Sequence, residues 1–286
     1  MYPSFIQLLR AEIIKIFSRK RSFIGFAAIA AVVFLIQLAM YVDGENYIGL
    51  ITQSIEQSIK LSGHIVTGNM VCFIILQTLI IQMPLLVALV TGDLISGEAQ
   101  SGTIRLLLTK PVSREKILFV KFVAGLIYVI ALILFLGILS YPLSLLIFGN
   151  GDMMVLKSDE LVILQSADTV WRFIGAFFIA FLSLTVVSSL SLMLSCFTNN
   201  SITPIITTMS IIILFTIIGT LDVPIFETLK QFLFTTHMII WRNLFDNPIN
   251  ISFISKSIGV LTAQIALFYG ISHYYFSKKR HHWIIV

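Results

Sequence analysis

Residues 91–121 read TGDLISGEAQSGTIRLLLTKPVSREKILFVK, and this polar, basic segment lies between two long apolar runs. Its charged side chains must remain in water, because irregular loops do not face lipid inside the hydrocarbon region of a bilayer. The flanking runs are each long enough to cross that region as helices. The segment therefore predicts a helical membrane protein in which residues 93–116 form an aqueous loop between the second and third spans.

The composition of the whole chain is typical of a membrane protein. Of its 286 residues, 57% are hydrophobic and 12% are charged, and the mean hydropathy is +0.97. Soluble globular proteins carry about 25% charged residues. Six apolar runs qualify as spans, each near the roughly 20 residues that a helix needs to cross a bilayer. They are residues 22–42, 70–92, 117–139, 170–196, 204–221 and 258–276. We predict an all-α integral membrane protein in which residues 1–286 form a single domain.

The distribution of charged residues predicts the orientation of these spans. With the N-terminus placed in the cytoplasm, 13 of the 19 Lys and Arg residues fall on the inner side. Ten of the 14 acidic residues then fall on the outer side. Cytoplasmic loops of membrane proteins carry an excess of Lys and Arg. We therefore expect a multi-pass protein of the plasma membrane with both termini in the cytoplasm.

The segment before the first span, residues 1–21, has the pattern of an amphipathic helix. Its apolar residues recur at helical spacing, while its bases lie on other faces. The apolar residues are Phe5, Leu9, Ile13 and Ile16, and the bases are Arg10, Lys15 and Arg19. Such a helix lies in the membrane interface. It is either an orientation anchor or an elbow helix that also contacts a cytoplasmic partner.

The loop after the second span has the signals of a short helix between two breaks. Gly102 permits a turn that a residue with a Cβ would resist. Thr103 can then cap a helix over residues 104–109 through its hydroxyl group, and Pro111 ends that helix. Ser113 can cap the third span. A short helix held by two spans can act as a lever for a partner that grips it, although a plain interfacial loop would carry the same bases.

Residues 98–114, EAQSGTIRLLLTKPVSR, resemble the signature of ABC-2 type permeases, the membrane subunits of a large class of ABC exporters. The family pattern is roughly E-x-x-x-G-T-x-[KR]-x-L-L-x-x-P-[IV]-[ST]-R, and every fixed position is filled here. The six spans, the N-terminal amphipathic helix and the cytoplasmic termini are similar to the family over the whole chain. One departure is Ala99-Gln100, where many members carry a further charged residue, which affects the charges available for docking.

The resemblance implies a half-transporter of a bacterial exporter. Two permease subunits, identical or paralogous, would form the pathway, and two separate ATPase subunits carrying ATP and Mg²⁺ would bind from the cytoplasm. The loop would be the coupling element that sits in a groove of the ATPase, with Glu98 at its base near the membrane. The residues so implied are Glu98, Gly102, Thr103, Arg105, Pro111, Ser113 and Arg114.

The sequence has no motif for chemistry of its own. It contains no G-x-x-x-x-G-K-[ST] phosphate-binding loop and no H-E-x-x-H metal motif. No Ser-His-Asp or Cys-His arrangement can be argued from the order of its residues. We therefore expect the chain to be no enzyme, to hold no cofactor or metal, and to bind no nucleic acid. ATP hydrolysis is expected on the partner subunit.

The spans carry few charged residues at mid-membrane depth, although ion-coupled carriers usually place Asp, Glu or His there. This favours an amphiphilic cargo such as a peptide, an antibiotic or a lipid. The candidate pathway residues are Gln77 and Gln82 in the second span and Ser188 and Ser191 in the fourth. Serine stripes also mark close helix packing, which is the alternative interpretation of the last two.

The outer region between the last two spans, residues 222–256, is apolar and aromatic but is interrupted by Pro224 and Pro248. It predicts one or two short helices that dip into the outer leaflet, similar to the outer re-entrant helices of ABC-2 type permeases. The candidate gate residues are Phe232, Phe234 and Trp241. A plain interfacial anchor is the alternative, since aromatic residues concentrate at membrane interfaces.

Two other functions fit parts of the sequence. A secondary transporter or channel would work without an ATPase, and it usually shows the intramembrane charges that are scarce here. A membrane scaffold or sensor would keep the loop to hold a cytoplasmic protein but would need no pathway.

Overall fold

The apolar runs of the sequence form long helices, because a backbone surrounded by hydrocarbon must satisfy its hydrogen bonds internally. The computed structural model describes residues 4–52, 66–104, 112–156, 161–221 and 223–278. Within these ranges six helices are long and apolar enough to cross a membrane. They are Lys20–Gly44, Gly68–Gln100, Arg114–Phe148, Ser166–Phe197, Thr203–Thr220 and Ile251–Lys278. The predicted six-span fold is confirmed, and the chain is a multi-pass membrane protein.

The secondary-structure elements follow one another in a simple order. The first helices are α1 (Phe5–Ser18), α2 (Lys20–Thr52), α3 (Gly68–Thr91), α4 (Asp93–Gln100) and α5 (Arg114–Phe148). The strands β1 (Met153–Leu156) and β2 (Leu161–Leu164) follow. The last helices are α6 (Ser166–Phe197), α7 (Thr203–Thr220), α8 (Pro224–Lys230), α9 (Phe234–Met238), a 3₁₀ helix (Ile240–Phe245) and α10 (Ile251–Lys278).

Several helices continue beyond the apolar runs from which they were predicted. Helix α5 runs on to Phe148 although Pro142 lies inside it, and α10 begins at Ile251. The largest difference is at residues 93–100, which were expected to begin the aqueous loop. They form α4, which continues α3 almost directly through Gly92, and its Asp93 and Glu98 are buried. Basic partners on α1 and α5 make this burial possible.

Helix α6 lies at the centre of the bundle. It packs against α3, α5, α7 and α10, and the C-terminal half of the helix is almost entirely buried. Its small residues permit this close approach, as in other membrane helix interfaces. Helices α7 and α10 expose most of their surfaces. The core therefore sits around α3 and α6, with α2, α7 and α10 towards the periphery.

Helix α1 confirms the helical part of the elbow prediction. It begins with a capping box, in which the Ser4 side chain accepts from Gln7 N and the Gln7 side chain accepts from Ser4 N. The helix packs against α5 and α2, and Ile16 is fully enclosed. Its position in a membrane interface stays a prediction.

The opposite end of the bundle contains short elements. The strands β1 and β2 form an antiparallel hairpin with Met153 opposite Leu164, which the sequence analysis did not predict. Between α7 and α10 lie α8, α9 and the 3₁₀ helix, in the region where short helices were expected. Whether they re-enter a leaflet stays a prediction. The 3₁₀ helix packs on α6 through an aromatic cluster that includes Phe73, Phe173 and Phe245.

Candidate functional site

Seven charged side chains gather where α1, α4 and α5 meet, at the end of the bundle predicted to face the cytoplasm, and we call them the inner ionic cluster. The members are Glu12, Lys15, Arg19, Arg21, Asp93, Glu98 and Lys121. Lys121 Nζ lies 2.8 Å from Glu98 Oε1 and 3.1 Å from Glu12 Oε2. It also donates to the Leu94 carbonyl at 2.9 Å. One lysine of α5 thus binds both α1 and α4.

The other bases of the inner ionic cluster come from α1 and the start of α2. Lys15 pairs with Glu98, and Arg19 pairs with Asp93. Arg21 adds a longer contact, 3.5 Å from its Nη1 to Asp93 Oδ1. Each acidic side chain of α4 is therefore held by bases of other helices, which fixes α4 against the elbow.

Burial makes this cluster energetically important. Lys121 is 1% exposed and Glu98 is 3% exposed. Charges removed from water lose hydration energy, which is recovered only when they pair well and form hydrogen bonds. Here four bases face three carboxylates, so the pairs nearly balance. Glu98 Oε2 has no hydrogen-bond partner among the described residues, so removal of a base would leave this carboxylate still less satisfied.

The electrostatic environment also affects the exposed edge of the cluster. Burial against the neighbouring helices, followed in size by the positive charge of Lys121, lowers the pKa of Lys15 to about 8. Lys15 and Lys121 both pair with Glu98. The repulsion between the two positive charges disfavours the charged form of Lys15, the more exposed of the two lysines.

Serine and glutamine side chains attach α4 to the centre of the bundle. Ser195 Oγ on α6 accepts hydrogen bonds from Ile95 N at 3.2 Å and from Ser96 N at 2.9 Å. Gln100 Oε1 accepts from Ser201 N at 2.9 Å, just before α7. A displacement of α4 must therefore move α1, α5 and α6 or break these bonds.

The turn after α4 has the backbone that the sequence predicted. Gly102 has a φ of 72°, where a residue with a Cβ would be strained. Thr103 Oγ1 donates to the Glu98 carbonyl at 3.4 Å and lies 2.9 Å from Ser101 Oγ. Ser113 caps α5 by accepting from Lys116 N at 3.4 Å, which confirms that capping prediction.

The middle of the loop lies outside the described residues. This applies to Arg105, to Pro111 and to most of the predicted helix over 104–109. Arg114 is the first residue of α5. The structure therefore describes the two roots of the predicted coupling loop, and their coupling role stays a prediction.

The structure separates the four candidate pathway residues. Gln77 and Gln82 are exposed on α3. Ser188 and Ser191 are instead enclosed between helices: Ser191 Oγ donates to the Ala88 carbonyl at 3.4 Å, and Ser188 faces Gly125 of α5. These contacts fit the helix-packing interpretation of the two serines, and their place in a pathway stays a prediction.

An apolar groove of about 410 Å³ runs between α3, α7 and α9. Ile81 and Pro84 line it from α3, and Gln77 precedes them at helical spacing on the same face. Threonines add a few hydroxyl groups to the lining. They are Thr216 and Thr220 of α7 and Thr235 and Thr236 of α9.

The three candidate gate residues also differ from one another. Phe232 is 67% exposed. Phe234 is buried beside Phe215 of α7, with 5.6 Å between ring centroids. Trp241 is buried beside Phe73 of α3, with 5.4 Å between centroids. Phe232 therefore has the exposure that a gate would need, while the other two pack inside the chain.

Two buried side chains outside the sequence predictions, Arg172 and His237, hold the opposite end together. Arg172 Nη1 donates to the carbonyls of Leu244 at 2.7 Å and Asp246 at 2.9 Å. His237 Nε2 donates to the Gln231 carbonyl at 2.9 Å, and its Nδ1 lies 2.8 Å from Ser257 Oγ. Asp168 lies four residues before Arg172, and this spacing could have predicted the ion pair between the two side chains on one helix.

The described residues contain no group of three His, Cys, Asp or Glu side chains that could hold a metal ion. The charges of the inner ionic cluster join helices to one another. Within the described residues, the cluster links Glu98, the acidic residue of the 98–114 motif, to helix α1.

Comparison with known proteins places the chain in a family. The family described as "Protein of unknown function (DUF2705)" matches residues 32–280. The chain belongs to this family. The DUF2705 protein is also 43% identical over 68 residues to "Probable ABC transporter permease protein NosY" of Stutzerimonas stutzeri. That similarity covers 23% of the chain and 25% of NosY, so the DUF2705 protein matches about a quarter of the length of this relative.

Proposed function

We propose that this DUF2705 protein is the permease subunit of an ATP-driven exporter of the ABC-2 type. Two permease subunits, identical or paralogous, form the pathway, and two separate ATPases bind at the loop between α4 and α5. The observation that carries the proposal is the burial of Glu98 in the inner ionic cluster, four residues before the Gly102 turn. The partial similarity to NosY supports the same assignment.

The inner ionic cluster supplies the mechanical step of this proposal. An ATPase that grips the loop pushes on α4 through the Gly102 turn. Because Lys121 binds carboxylates of both α1 and α4, the elbow and α5 move with α4. Ser195 carries the same displacement to α6. Rigid elements joined by buried polar contacts transmit motion as a unit, whereas a loop held by exposed bases would bend.

The groove between α3, α7 and α9 is the half-pathway that each subunit contributes in this proposal. Exposed amides such as Gln77 and Gln82 are costly against lipid tails and are better satisfied against a second subunit or a cargo. The lining is mainly aliphatic with a few hydroxyl groups. This fits an amphiphilic cargo, such as a hydrophobic peptide, an antibiotic or a lipid.

Co-purification with an ATPase tests the proposal. The tagged chain is co-expressed with candidate ABC ATPases and extracted in mild detergent. Arg114→Glu reverses a charge at the root of the loop, and Lys278→Glu is the matched reversal at the end of α10. We expect an ATP-hydrolysing complex that Arg114→Glu weakens and Lys278→Glu leaves intact. A chain that purifies alone, with every ATPase tested, would instead favour an ATP-independent carrier or a scaffold.

A further inference from the structure

A basic pocket of about 570 Å³ opens beside the inner ionic cluster, between the start of α2, the end of α4 and the loop before α7. Three consecutive bases line it, Arg19, Lys20 and Arg21. Lys20 is exposed, and Arg21 is held in place by a bond from its Nη1 to Ser201 Oγ at 3.1 Å. The remaining lining residues are Asp93, Gly97, Gln100, Ser101 and Ser201.

The charges in this pocket favour an anion. Asp93 is its one carboxylate within the described residues, and this group already pairs with Arg19 and Arg21. Three bases against one acid leave a surplus of positive charge. Gln100 and the two serines add groups that can donate hydrogen bonds.

The pocket lies at the boundary of the spans. Lys20 begins the first spanning helix, Gln100 ends the second, and Ser201 lies between the fourth and fifth. This is the depth at which phospholipid headgroups sit, just outside the hydrocarbon region. Guanidinium and ammonium groups bind phosphate through charge-assisted hydrogen bonds. The bases therefore meet phosphate groups at this depth.

Exposed apolar side chains follow the pocket residues along the chain, at the start of α2 and of α7. Phe23 and Ile24 follow on α2, and Ile202 and Ile206 lie at and after the start of α7. A ligand with a phosphate in the pocket and hydrocarbon chains beyond it would contact both parts of this surface. A soluble phosphate or an acidic protein segment would contact only the basic pocket.

We propose that this pocket binds the phosphate of an anionic phospholipid in the leaflet at the inner ends of the spans. Lys20 and Arg21 provide the charge, Gln100 and Ser201 provide neutral donors, and the exposed residues of α2 and α7 contact the acyl chains. Arg19 and Arg21 belong to both the pocket and the inner ionic cluster, so the bound lipid stabilises the position of the elbow against α4. The site depends only on the membrane location of the chain and not on the exporter assignment.

Lipid titration of the purified chain tests this site. Phosphatidylglycerol is added to the delipidated protein in detergent, and bound lipid is counted by native mass spectrometry. Phosphatidylcholine is the zwitterionic comparison, and glycerol 3-phosphate supplies the same phosphate without acyl chains. The pocket variant is Lys20→Gln with Arg21→Gln. The charge-matched control is Arg10→Gln with Lys278→Gln, two bases on the same side but outside the pocket.

We expect phosphatidylglycerol to bind the wild-type chain, with affinity lost by about fivefold for each base removed from the pocket. The control variant should lose less than about twofold, since distant exposed charges are screened. Lys20→Gln alone changes an exposed side chain and should leave the fold intact. Its change in the logarithm of the lipid affinity should be about half of that in the double variant.

Three results would overturn the proposal. Equal losses in the pocket and control variants would mean diffuse attraction to surface charge. Equal binding of glycerol 3-phosphate and phosphatidylglycerol would assign the pocket to a soluble phosphate. Unchanged lipid binding together with loss of ATPase co-purification in the pocket variant would make these bases a protein contact.

Discussion

The two ends of the bundle are held together by different chemistry. At the inner end, α1, α4 and α5 are joined by buried ion pairs, with Lys121 between Glu12 and Glu98. At the outer end, the 3₁₀ helix and α9 are held by aromatic rings and by bonds from Arg172 and His237. Buried ion pairs are costly to separate, whereas aromatic contacts can be exchanged for similar ones at lower cost.

This difference indicates which end moves as a unit. The inner end cannot open without exposing unpaired charges to a poorly solvating interior. We expect the outer end to repack more readily than the inner end, because the rings of Phe73, Trp241 and Phe245 join its elements through face and edge contacts and not through ion pairs. An exporter that is driven from the inside and opens at the outside would need this arrangement.

The largest expected effect is on the inner ionic cluster. Lys121→Met removes the base shared by Glu12 and Glu98 and leaves two poorly paired carboxylates. We expect a loss of about 3–5 kcal/mol in the free energy of unfolding, as for other broken buried pairs. Unfolding of the detergent-solubilised chain by denaturant measures it. Arg10→Met, at an exposed position on α1, is the control and should change stability little. Equal stabilities of the two variants would refute the structural importance of the cluster.

The next effect concerns the outer end. Arg172→Met leaves the carbonyls of Leu244 and Asp246 without their charged donor. We expect a loss of about 2–3 kcal/mol in the free energy of unfolding. This is near the lower end for two unsatisfied acceptors at about 1–3 kcal/mol each, because the bond to Asp246 is only partly buried. The same unfolding measurement applies. A loss larger than that of Lys121→Met would reverse the comparison between the two ends.

A smaller effect is expected at the contact between α9 and α10. Ser257→Ala removes the hydroxyl that faces His237 Nδ1 at 2.8 Å. The expected loss is about 1 kcal/mol, the net value of a buried hydrogen bond. Ser255→Ala, at an exposed position two residues earlier, is the control. Identical unfolding curves for both variants would show that the histidine contact does not hold α9 in place.

The smallest effect is a pH dependence from Lys15, whose pKa is lowered to about 8. An unfolded lysine has a pKa of about 10.4, so above pH 8 the folded chain releases this proton before the unfolded chain does. As the pH rises from about 8 to about 10.4, the contribution of Lys15 to the free energy of unfolding therefore increases, and below pH 8 this contribution is constant. Because the Lys15 side chain is partly exposed, we expect the free energy of unfolding to rise with pH much less steeply than the release of one full proton would require. Thermal unfolding of Lys15→Met should lack this slope, and an unchanged slope would exclude Lys15 as its source.

Much of the fold could be predicted because hydrophobic length is a strong signal. A run of about 20 apolar residues has few alternatives to a spanning helix. The Gly102 turn and the Ser113 cap were also predictable, since each depends on local backbone chemistry. The extension of α5 beyond Pro142 shows that a proline need not end a helix inside a bundle.

The inner ionic cluster could be predicted only in part. Glu98 was expected at the base of the loop near the membrane, but its pairing with Lys15, 83 residues earlier, depends on how α1 folds back. The pattern of residues 1–21 predicted a helix in the membrane interface, whereas the structure turns Lys15 and Arg19 towards Glu98 and Asp93 of α4. The serines of α6 could not be assigned without knowing which face meets α3. Partners distant in sequence are set by tertiary packing, which the local pattern does not encode.

The most direct test of the central claim is ATP hydrolysis by the reconstituted complex of chain and ATPase, compared between two proline variants. Gly102 and Gly149 both have a positive φ, of 72° and 77°, and both donate a backbone hydrogen bond, to Ala99 at 3.1 Å and to Leu145 at 3.0 Å. Proline therefore disturbs both turns in the same way. We predict that Gly102→Pro lowers cargo-stimulated hydrolysis by about tenfold, within the usual range of coupling energies, while Gly149→Pro retains it. Equal rates in the two variants would contradict the claim that the turn after α4 transmits force from the ATPase.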